Sequence, residues 1–247
     1  MAVIEFKNVT KEYKLFKGEG ERLKFLFNRK TKVNTKVALK DVSFSIEQGE
    51  SVAIMGRNGA GKTTTLKLID GVSYPTEGEV IVNGRVNAIL ELSAGFDPEF
   101  TGRENIRFRG QLFGLKNEEI AKLEPKIVEF AELGEYIDQP VRTYTSGMKS
   151  KLGFAINVNL KPRIVIVDEA LSVGDGAFKR KCLEKMQEIT SHDKVTFIFT
   201  THSPKTASQF CQRGIILKNG RVIFDGPMEE AEKFYRNPIL PDDMEEE

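Results

Sequence analysis

Short runs of alternating apolar and polar residues dominate the first third of the chain and predict β-strands. Residues 3–13 alternate as one strand that Lys7-Asn8 interrupts. Residues 80–82 predict a further strand, and Asn83-Gly84 after them predicts a hairpin turn into residues 86–90. We therefore expect the N-terminal third to be rich in β-structure.

The middle of the chain changes to helical signals. Thr101-Gly102-Arg103-Glu104 fits a capping box and predicts a helix that begins there and runs through Phe113. A second helix is predicted to begin at Asn117, and Pro125 is predicted to start or kink a third. These helices indicate a small helical subdomain, residues 95–160, inserted into an α/β core.

Two strongly apolar runs later in the chain predict buried parallel strands. Residues 164–167 are four branched apolar residues that end at Asp168-Glu169, and residues 195–199 are followed by Thr200-Thr201-His202. Ligands of open α/β sheets bind beyond the carboxyl ends of strands, so we expect these polar residues at a binding site. A hairpin is predicted at Asn219-Gly220.

The composition is typical of a globular protein with a sizeable core. Of 247 residues, 40% are hydrophobic and 30% are charged, which suits one large α/β domain. The formal net charge of +1 argues against polyanion binding by bulk charge. Cys182 and Cys211 offer neither a disulfide framework nor a zinc site. No apolar run approaches the ~18 residues that span a bilayer, so a membrane role is expected to need a separate partner.

Residues 14–36 form a basic segment with eight Lys or Arg residues against two Glu residues. Leu23 and Phe25 to Phe27 are interleaved with these charges, which gives a short basic amphipathic pattern. Two interpretations stay open: a solvated loop, or a surface that docks onto a membrane or a membrane-embedded partner. No nucleic-acid partner is expected, because the chain carries no recognisable nucleic-acid-binding module.

Residues 56–63, Gly-Arg-Asn-Gly-Ala-Gly-Lys-Thr, match the phosphate-loop pattern G-x-x-x-x-G-K-[ST] at every specified position. An apolar run, residues 51–55, precedes the loop, and a plausible helix start follows it, which is the arrangement the pattern requires. A glycine-rich turn before an ordinary helix would match by chance in roughly one chain in a hundred of this length. The sequence therefore favours nucleotide binding.

The residues of this loop have distinct expected roles toward a nucleotide. Glycines let successive backbone N–H groups approach an anion, and the helix N-terminus adds a partial positive charge. Lys62 is expected to bridge the β- and γ-phosphates, Thr63 to ligate Mg²⁺, and Thr64 to support the α-phosphate. The expected nucleotide-binding residues of the loop are Asn58, Gly59, Ala60, Gly61, Lys62, Thr63 and Thr64.

Four side chains outside the loop are candidates for the same site. Asp168 is expected to hold Mg²⁺ through water, and Glu169 to polarise the attacking water. His202 is a candidate for a γ-phosphate contact, with a histidine satisfied by local backbone as the alternative. Tyr13 is either a half-buried strand aromatic or a platform for adenine.

The order of these motifs resembles the nucleotide-binding subunit of an ABC transporter over nearly the whole chain. Tyr144-Thr145-Ser146-Gly147-Met148-Lys149 stands where that family has its signature loop, usually Leu-Ser-Gly-Gly-Gln, and only Ser146-Gly147 match it. The resemblance implies that Ser146 and Gly147 complete the γ-phosphate shell across a homodimer interface. It also implies that Tyr13 stacks on adenine and that Glu169 is the general base.

Departures from the family pattern resemble a subgroup that powers export of lipid-linked polysaccharides. The family normally has a Gln between its two subdomains; Glu91 is the nearest equivalent here and is implied as a metal contact. After the catalytic carboxylate, residues 170–175 read Ala-Leu-Ser-Val-Gly-Asp where the family commonly has a loop of the Ser-Ala-Leu-Asp type. Because the chain stops shortly after Asp225-Gly226, a short teichoic-acid-type subunit is the expected member. An exporter of O-antigen or capsular polysaccharide and a soluble non-transport ABC-type ATPase are the alternatives.

The resemblance also implies cofactors, partners and location. The expected cofactors are ATP and Mg²⁺, and the expected partners are a second copy of the chain and a separate integral-membrane permease. The permease would carry the lipid-linked polysaccharide, which places the subunit peripherally at the cytoplasmic face of a bacterial cell membrane.

The expected fold class is α/β: a P-loop NTPase core of mixed sheet and helices, an antiparallel β subdomain and an inserted α-helical subdomain. The expected organisation is one ABC ATPase domain over residues 1–247. Its parts are a core with the β subdomain (1–94 and 161–230), a helical subdomain with the signature loop (95–160), a basic insertion (14–36), and a C-terminal helix with an acidic tail (231–247).

Overall fold

The computed structural model describes residues 1–28, 33–89, 95–160, 163–168, 175–191 and 195–236. The chain divides into two compact units. The first unit consists of Met1–Gly84 with Thr200–Glu247, and the second unit consists of Arg85–Phe199. Across the described residues, every helix is too short or too polar to cross a lipid bilayer.

The first unit contains an antiparallel sheet, a group of strands with both parallel and antiparallel pairing, and several helices. Its strands are β1 (Ala2–Leu15), β2 (Asn34–Glu47), β3 (Ser51–Met55), β4 (Glu77–Val82), β8 (Arg213–Lys218) and β9 (Arg221–Pro227). Its helices are α1 (Glu19–Phe27), α2 (Lys62–Ile69), α7 (Pro204–Ala207) and α8 (Met228–Arg236).

The antiparallel sheet of the first unit has the strand order β2-β1-β4. Apolar residues on one face of β1 and β2 are buried, and the rings of Phe6 and Phe44 stack with their centroids 4.4 Å apart. The register of β1 against β2 shifts between Phe6 and Val9, where Asn8 has φ 50°. The interruption that the sequence places at Lys7-Asn8 is therefore a bulge inside one continuous strand.

The phosphate-loop strand β3 lies beside β8 in parallel, and β8 pairs with β9 in antiparallel. All five residues of β3 are buried, as expected for a strand covered on both faces. The predicted hairpin at Asn219-Gly220 is confirmed, because these residues form the turn between β8 and β9.

The second unit combines parallel strands with a helical layer. Its elements are strands β5 (Val86–Ile89) and β6 (Ile164–Asp168) and helices α3 (Gly102–Leu112), α4 (Asn117–Ala131), α5 (Ser146–Asn159) and α6 (Gly176–Thr190), while β7 (Thr196–Thr201) contributes residues to both units. Strand β6 is parallel to β5, and Ile164 to Val167 are buried. The buried parallel strand predicted at residues 164–167 is thus confirmed.

The predicted hairpin at Asn83-Gly84 is wrong. Strand β4 pairs with β1, whereas β5 pairs in parallel with β6. Asn83 donates its backbone N–H to the carbonyl of Val3, which extends the pairing of β4 toward β1. An Asn-Gly dipeptide favours a tight turn, but it does not determine whether the two flanking strands share a sheet.

The helical predictions are correct at Thr101 and wrong at Pro125. Thr101 caps α3, and its side chain and that of Glu104 form the reciprocal bonds of a capping box. Pro125 lies inside one continuous helix, α4, and does not begin a third helix. Side chains before and after the proline are buried on one face of α4, and this burial offsets the loss of the hydrogen bond that Pro cannot donate. These side chains are Ile120, Glu124, Ile127 and Ala131.

Candidate functional site

The phosphate loop connects β3 to α2 through backbone conformations that favour glycine. Gly61 is the N-cap of α2 with φ 111° and ψ −2°, in the left-handed region. A Cβ atom at Gly61 would lie 2.6 Å from Leu39 Cδ2, and one at Gly56 would lie 2.5 Å from the Leu217 carbonyl oxygen. The spacing of the loop glycines therefore meets both a conformational and a steric need.

Helix α2 begins with backbone amides rather than with a capping side chain. Gly61 supplies no side-chain cap, and the first i to i−4 bond runs from the Thr65 N–H to the Gly61 carbonyl at 2.9 Å. The N–H groups of a helix's first turn have no acceptor within the helix. Together with the positive end of the helix dipole, these amides make the start of α2 suited to an anion.

Lys62 lies over the loop that it follows. Its Nζ donates to the carbonyl oxygen of Gly56 at 2.6 Å and to that of Arg57 at 3.2 Å. Of the other predicted loop residues, Asn58, Gly59 and Thr63 are exposed, Thr64 is half-buried and Ala60 is buried. A cation thus lies at the loop, and the loop's outer side is open to a ligand.

The β8–β9 turn supports the phosphate loop, a contact that the sequence did not predict. The Gly220 N–H donates to the Ala60 carbonyl at 3.1 Å, and the Gly220 carbonyl accepts from the Lys40 N–H at 2.8 Å. A Cβ atom at Gly220, where φ is 74°, would lie 2.7 Å from the Ala38 carbonyl oxygen. The Asn-Gly signal predicts the turn, but nothing in the spacing indicates that residues so far apart in the chain meet.

His202 follows the last residue of β7 and is exposed. The next residue, Ser203, donates its N–H to Thr201 Oγ1 at 2.9 Å and caps the short helix α7 by accepting from the Thr206 N–H. These bonds fix the backbone on both sides of His202.

Tyr13 is a half-buried residue of β1 that pairs with Lys36 of β2. The Nζ of Lys11 lies 5.2 Å from the centroid of its ring. An aromatic face next to a cation on a sheet suits either interpretation made from the sequence, strand packing or adenine stacking.

Asp168 is the last residue of β6 and is half-buried. The sequence-predicted base Glu169 and the predicted metal contact Glu91 lie outside the described residues. Asp168, Ser146 and Gly147 belong to the second unit, whereas the phosphate loop, Tyr13 and His202 belong to the first.

The signature residues occupy the start of helix α5. Thr145 is the N-cap, and its Oγ1 accepts from the Met148 N–H at 3.2 Å. Ser146 is exposed and Gly147 half-buried in the first turn. A cleft of about 600 Å³ within the second unit opens at this turn. Its lining includes Glu132, Tyr136, Thr145, Ser146, Lys151 and Asp175.

Comparison with known proteins identifies the family. A family model described as "ABC transporter" matches residues 39–172. The O-antigen export system ATP-binding protein RfbB of Klebsiella pneumoniae is 43% identical over 96% of this chain and 98% of its own length. The teichoic acids export ATP-binding protein TagH of Bacillus cereus is 42% identical over 94% of this chain and 42% of its own length.

A solved dimeric bacterial ABC transporter cassette superposes with a TM-score of 0.72 at 25% identity, covering 91% of this chain and 98% of that one. The fold class predicted from the sequence is confirmed by this likeness. The chain belongs to the ABC transporter family and is an ATP-hydrolysing subunit.

Proposed function

We propose that this chain is the ATP-hydrolysing subunit of an exporter of lipid-linked polysaccharide, and that it works as a homodimer against a separate membrane permease. The main support for this proposal is the phosphate loop, because its glycines, Lys62 and the start of helix α2, which has no side-chain cap, are suited to bind a polyphosphate. The names of relatives at 43% and 42% identity support the export role.

The residues of the loop suit the phosphates of ATP, and Asp168 of the second unit is assigned a role toward the Mg²⁺ ion. Lys62 and the first amides of α2 would hold the phosphates, and Thr64 would support the α-phosphate. The exposed Thr63 hydroxyl and the Asp168 carboxylate at the end of β6 would hold the metal, since Mg²⁺ prefers oxygen ligands and takes few from the protein. When bound, Mg²⁺ neutralises charge on the phosphate oxygens. Glu91 is retained as a candidate further ligand.

The hydrolysis step follows from these roles. Glu169 accepts a proton from a water molecule whose oxygen attacks the γ-phosphorus, and the bond to the β,γ-bridging oxygen breaks, leaving ADP and phosphate. His202, exposed beyond β7, contacts the γ-phosphate, and Tyr13 stacks on adenine. The side chain at position 169 is thus assigned to proton transfer, and those at 202 and 13 to binding.

Two copies of the chain would complete each site. Ser146 at the exposed start of α5 and Gly147 beside it present helix amides that can bind the γ-phosphate of the other copy. The dimeric state of the solved cassette supports this arrangement. Binding of ATP would then join the two copies, and hydrolysis would release them.

Helix α1 is the surface we assign to docking on the membrane-embedded permease. The Phe25 ring packs against Phe16 and lies 4.2 Å from Lys14 Nζ, yet no residue of α1 is buried. Leu26 is 69% and Phe27 is 90% exposed, which leaves an apolar edge beside basic residues. Docking there would hold the subunit peripherally at the cytoplasmic face of the cell membrane.

The polymer is assigned to the class of lipid-linked cell-surface polysaccharides. Identities of 43% to an O-antigen export protein and 42% to a teichoic acid export protein favour neither polymer over the other. The teichoic acid assignment made from the sequence therefore stays a prediction.

Glu169→Gln tests the proposed mechanism. The amide cannot accept the proton, but it retains the shape of the side chain, so ATP should bind without turnover and keep the two copies joined. We expect gel filtration with ATP and Mg²⁺ to show a dimer for the variant and little dimer for the wild type. Wild-type rates of phosphate release from Glu169→Gln would contradict the assignment of the base.

A further inference from the structure

A lysine on α5 links the signature helix to the start of α6. The Nζ of Lys151 lies 3.1 Å from Asp175 Oδ2 and 4.9 Å from the centroid of the Phe178 ring. The Lys151 side chain is only 18% exposed, so it is held in a defined position rather than extended into solvent. The contact therefore joins two helices by a cation that is largely enclosed.

Asp175 uses its two carboxylate oxygens for different helices. Oδ1 accepts from the N–H groups of Ala177 and Phe178 at 3.0 Å each and caps α6, while Oδ2 accepts from Lys151. The hydrogen bond from Phe178, followed by that from Lys151, lowers the pKa of Asp175 to about 2. The carboxylate is therefore ionised at physiological pH, and the cap and the ion pair persist together.

The chain positions of this pair connect two parts of the proposed site. Lys151 lies one helical turn after Gly147, and Asp175 lies six residues after Glu169. Lys151 and Asp175 also line the same cleft as Ser146 and Gly147. The ion pair, together with the Phe154–Phe178 ring contact at 6.4 Å, thus links the start of α6 to the helix that begins at the signature turn.

We propose that Lys151 is a positioning residue for ATP hydrolysis, which fixes the start of α6 relative to the signature turn of α5. The inference rests on the proposed function. Lys151 is assigned no contact with the nucleotide or with the attacking water. Its removal should therefore affect the rate of the chemical step more than the binding of ATP.

A second lysine provides a matched control. Lys181 of α6 forms an ion pair with Glu132 at 2.6 Å and lies 4.6 Å from the centroid of the Phe130 ring. Like Lys151, it combines a carboxylate and an aromatic partner, and its side chain is 32% exposed. It does not contact the residue that caps α6. Lys181 Nζ also donates to the Phe130 carbonyl at 3.2 Å, so Lys181→Met removes at least the same kinds of contact without releasing the start of α6.

The experiment compares steady-state ATP hydrolysis by the full chain and by Lys151→Met, Lys151→Arg and Lys181→Met, with ATP and Mg²⁺. We expect Lys151→Met to lower kcat by at least about fivefold with KM for ATP changed by less than about twofold, and Lys151→Arg to restore most of the rate. Lys181→Met should stay within about twofold of wild type in both constants. Equal kcat for Lys151→Met and Lys181→Met would overturn the inference.

Asp175→Asn gives a second route to the same contact. Asparagine also caps helices, so α6 should keep its start while the ion pair to Lys151 is lost. We expect the double variant of Lys151→Met and Asp175→Asn to be no slower than the slower single variant, whereas multiplying effects would refute the coupling. A wild-type chain without ATP hydrolysis would instead refute the proposed function itself.

Discussion

Gly220→Ala tests whether the β8–β9 turn holds the phosphate loop in shape. Gly220 and Gly71 share a φ of 74°, but their surroundings differ. A Cβ atom at Gly220 would lie 2.7 Å from the Ala38 carbonyl oxygen, whereas one at Gly71 would have no atom of the described residues within 4 Å. Gly71→Ala is therefore a control for the cost of the left-handed conformation alone.

The expected loss of stability has two contributions, the left-handed backbone conformation and the steric overlap of the added Cβ atom. Placing alanine in the left-handed region costs about 1–2 kcal/mol at either position. Overlap with a backbone atom adds about 1–3 kcal/mol at position 220 only, so Gly220→Ala should lower the free energy of unfolding by about 2–5 kcal/mol. The backbone shift that relieves the overlap also moves the N–H group bonded to Ala60, and about 1.4 kcal/mol of loop distortion would weaken ATP binding tenfold.

The assays are urea unfolding without nucleotide and ATP titration by calorimetry, for both variants beside wild type. We expect Gly71→Ala to lose stability but to keep its ATP affinity, and Gly220→Ala to lose both. Equal stability losses together with equal ATP affinities in the two variants would refute the role assigned to the turn.

Three further predictions concern the second unit. Glu124→Gln should lower the free energy of unfolding at pH 7 by about 1–3 kcal/mol, because Glu124 pairs with Arg103 and Arg107. Burial raises the pKa of Glu124, but the hydrogen bonds from Arg107 and Arg103 outweigh burial and lower the pKa overall. The difference in the free energy of unfolding between wild type and Glu124→Gln should therefore shrink below about pH 4. Urea unfolding at pH 7 and below pH 4 measures this difference, and the same difference at both would contradict the prediction. The Asp175 cap of α6 should persist above about pH 4 and weaken as pH falls toward the lowered pKa of about 2, which amide exchange at the helix start measures; early loss at pH 5 would contradict it. Burial raises the pKa of Cys182 to about 12, so a thiol reagent at pH 8 should modify it only after unfolding, and rapid labelling of the folded chain would disprove this.

The local signals in the sequence predicted the phosphate loop and the ends of several elements correctly. The strand before Gly56, the helix after Gly61 and the cap at Thr101 each depend on residues close in sequence, so spacing alone determines them. The same holds for the buried strand that ends at Asp168. Local propensity and tertiary structure agree at these positions.

The errors and omissions arise where distant residues decide the outcome. Asn83-Gly84 joins strands of different sheets because β4 finds its partner in β1, and α4 continues through Pro125 because the face around it is packed. The contact of Gly220 with the loop and the Lys151–Asp175 pair have no signal in the local sequence. Such contacts depend on how elements pack, which periodicity does not encode.

The central claim is that ATP hydrolysis by this chain drives export of a lipid-linked polysaccharide. The most direct measurement is the ATPase rate of the full chain, alone and co-reconstituted with a candidate permease in lipid, with and without lipid-linked teichoic acid or O-antigen precursor. We expect permease and precursor together to raise the ATPase rate, and the precursor that does so to identify the polymer. Robust hydrolysis that is indifferent to permease and to both precursors would contradict the export function.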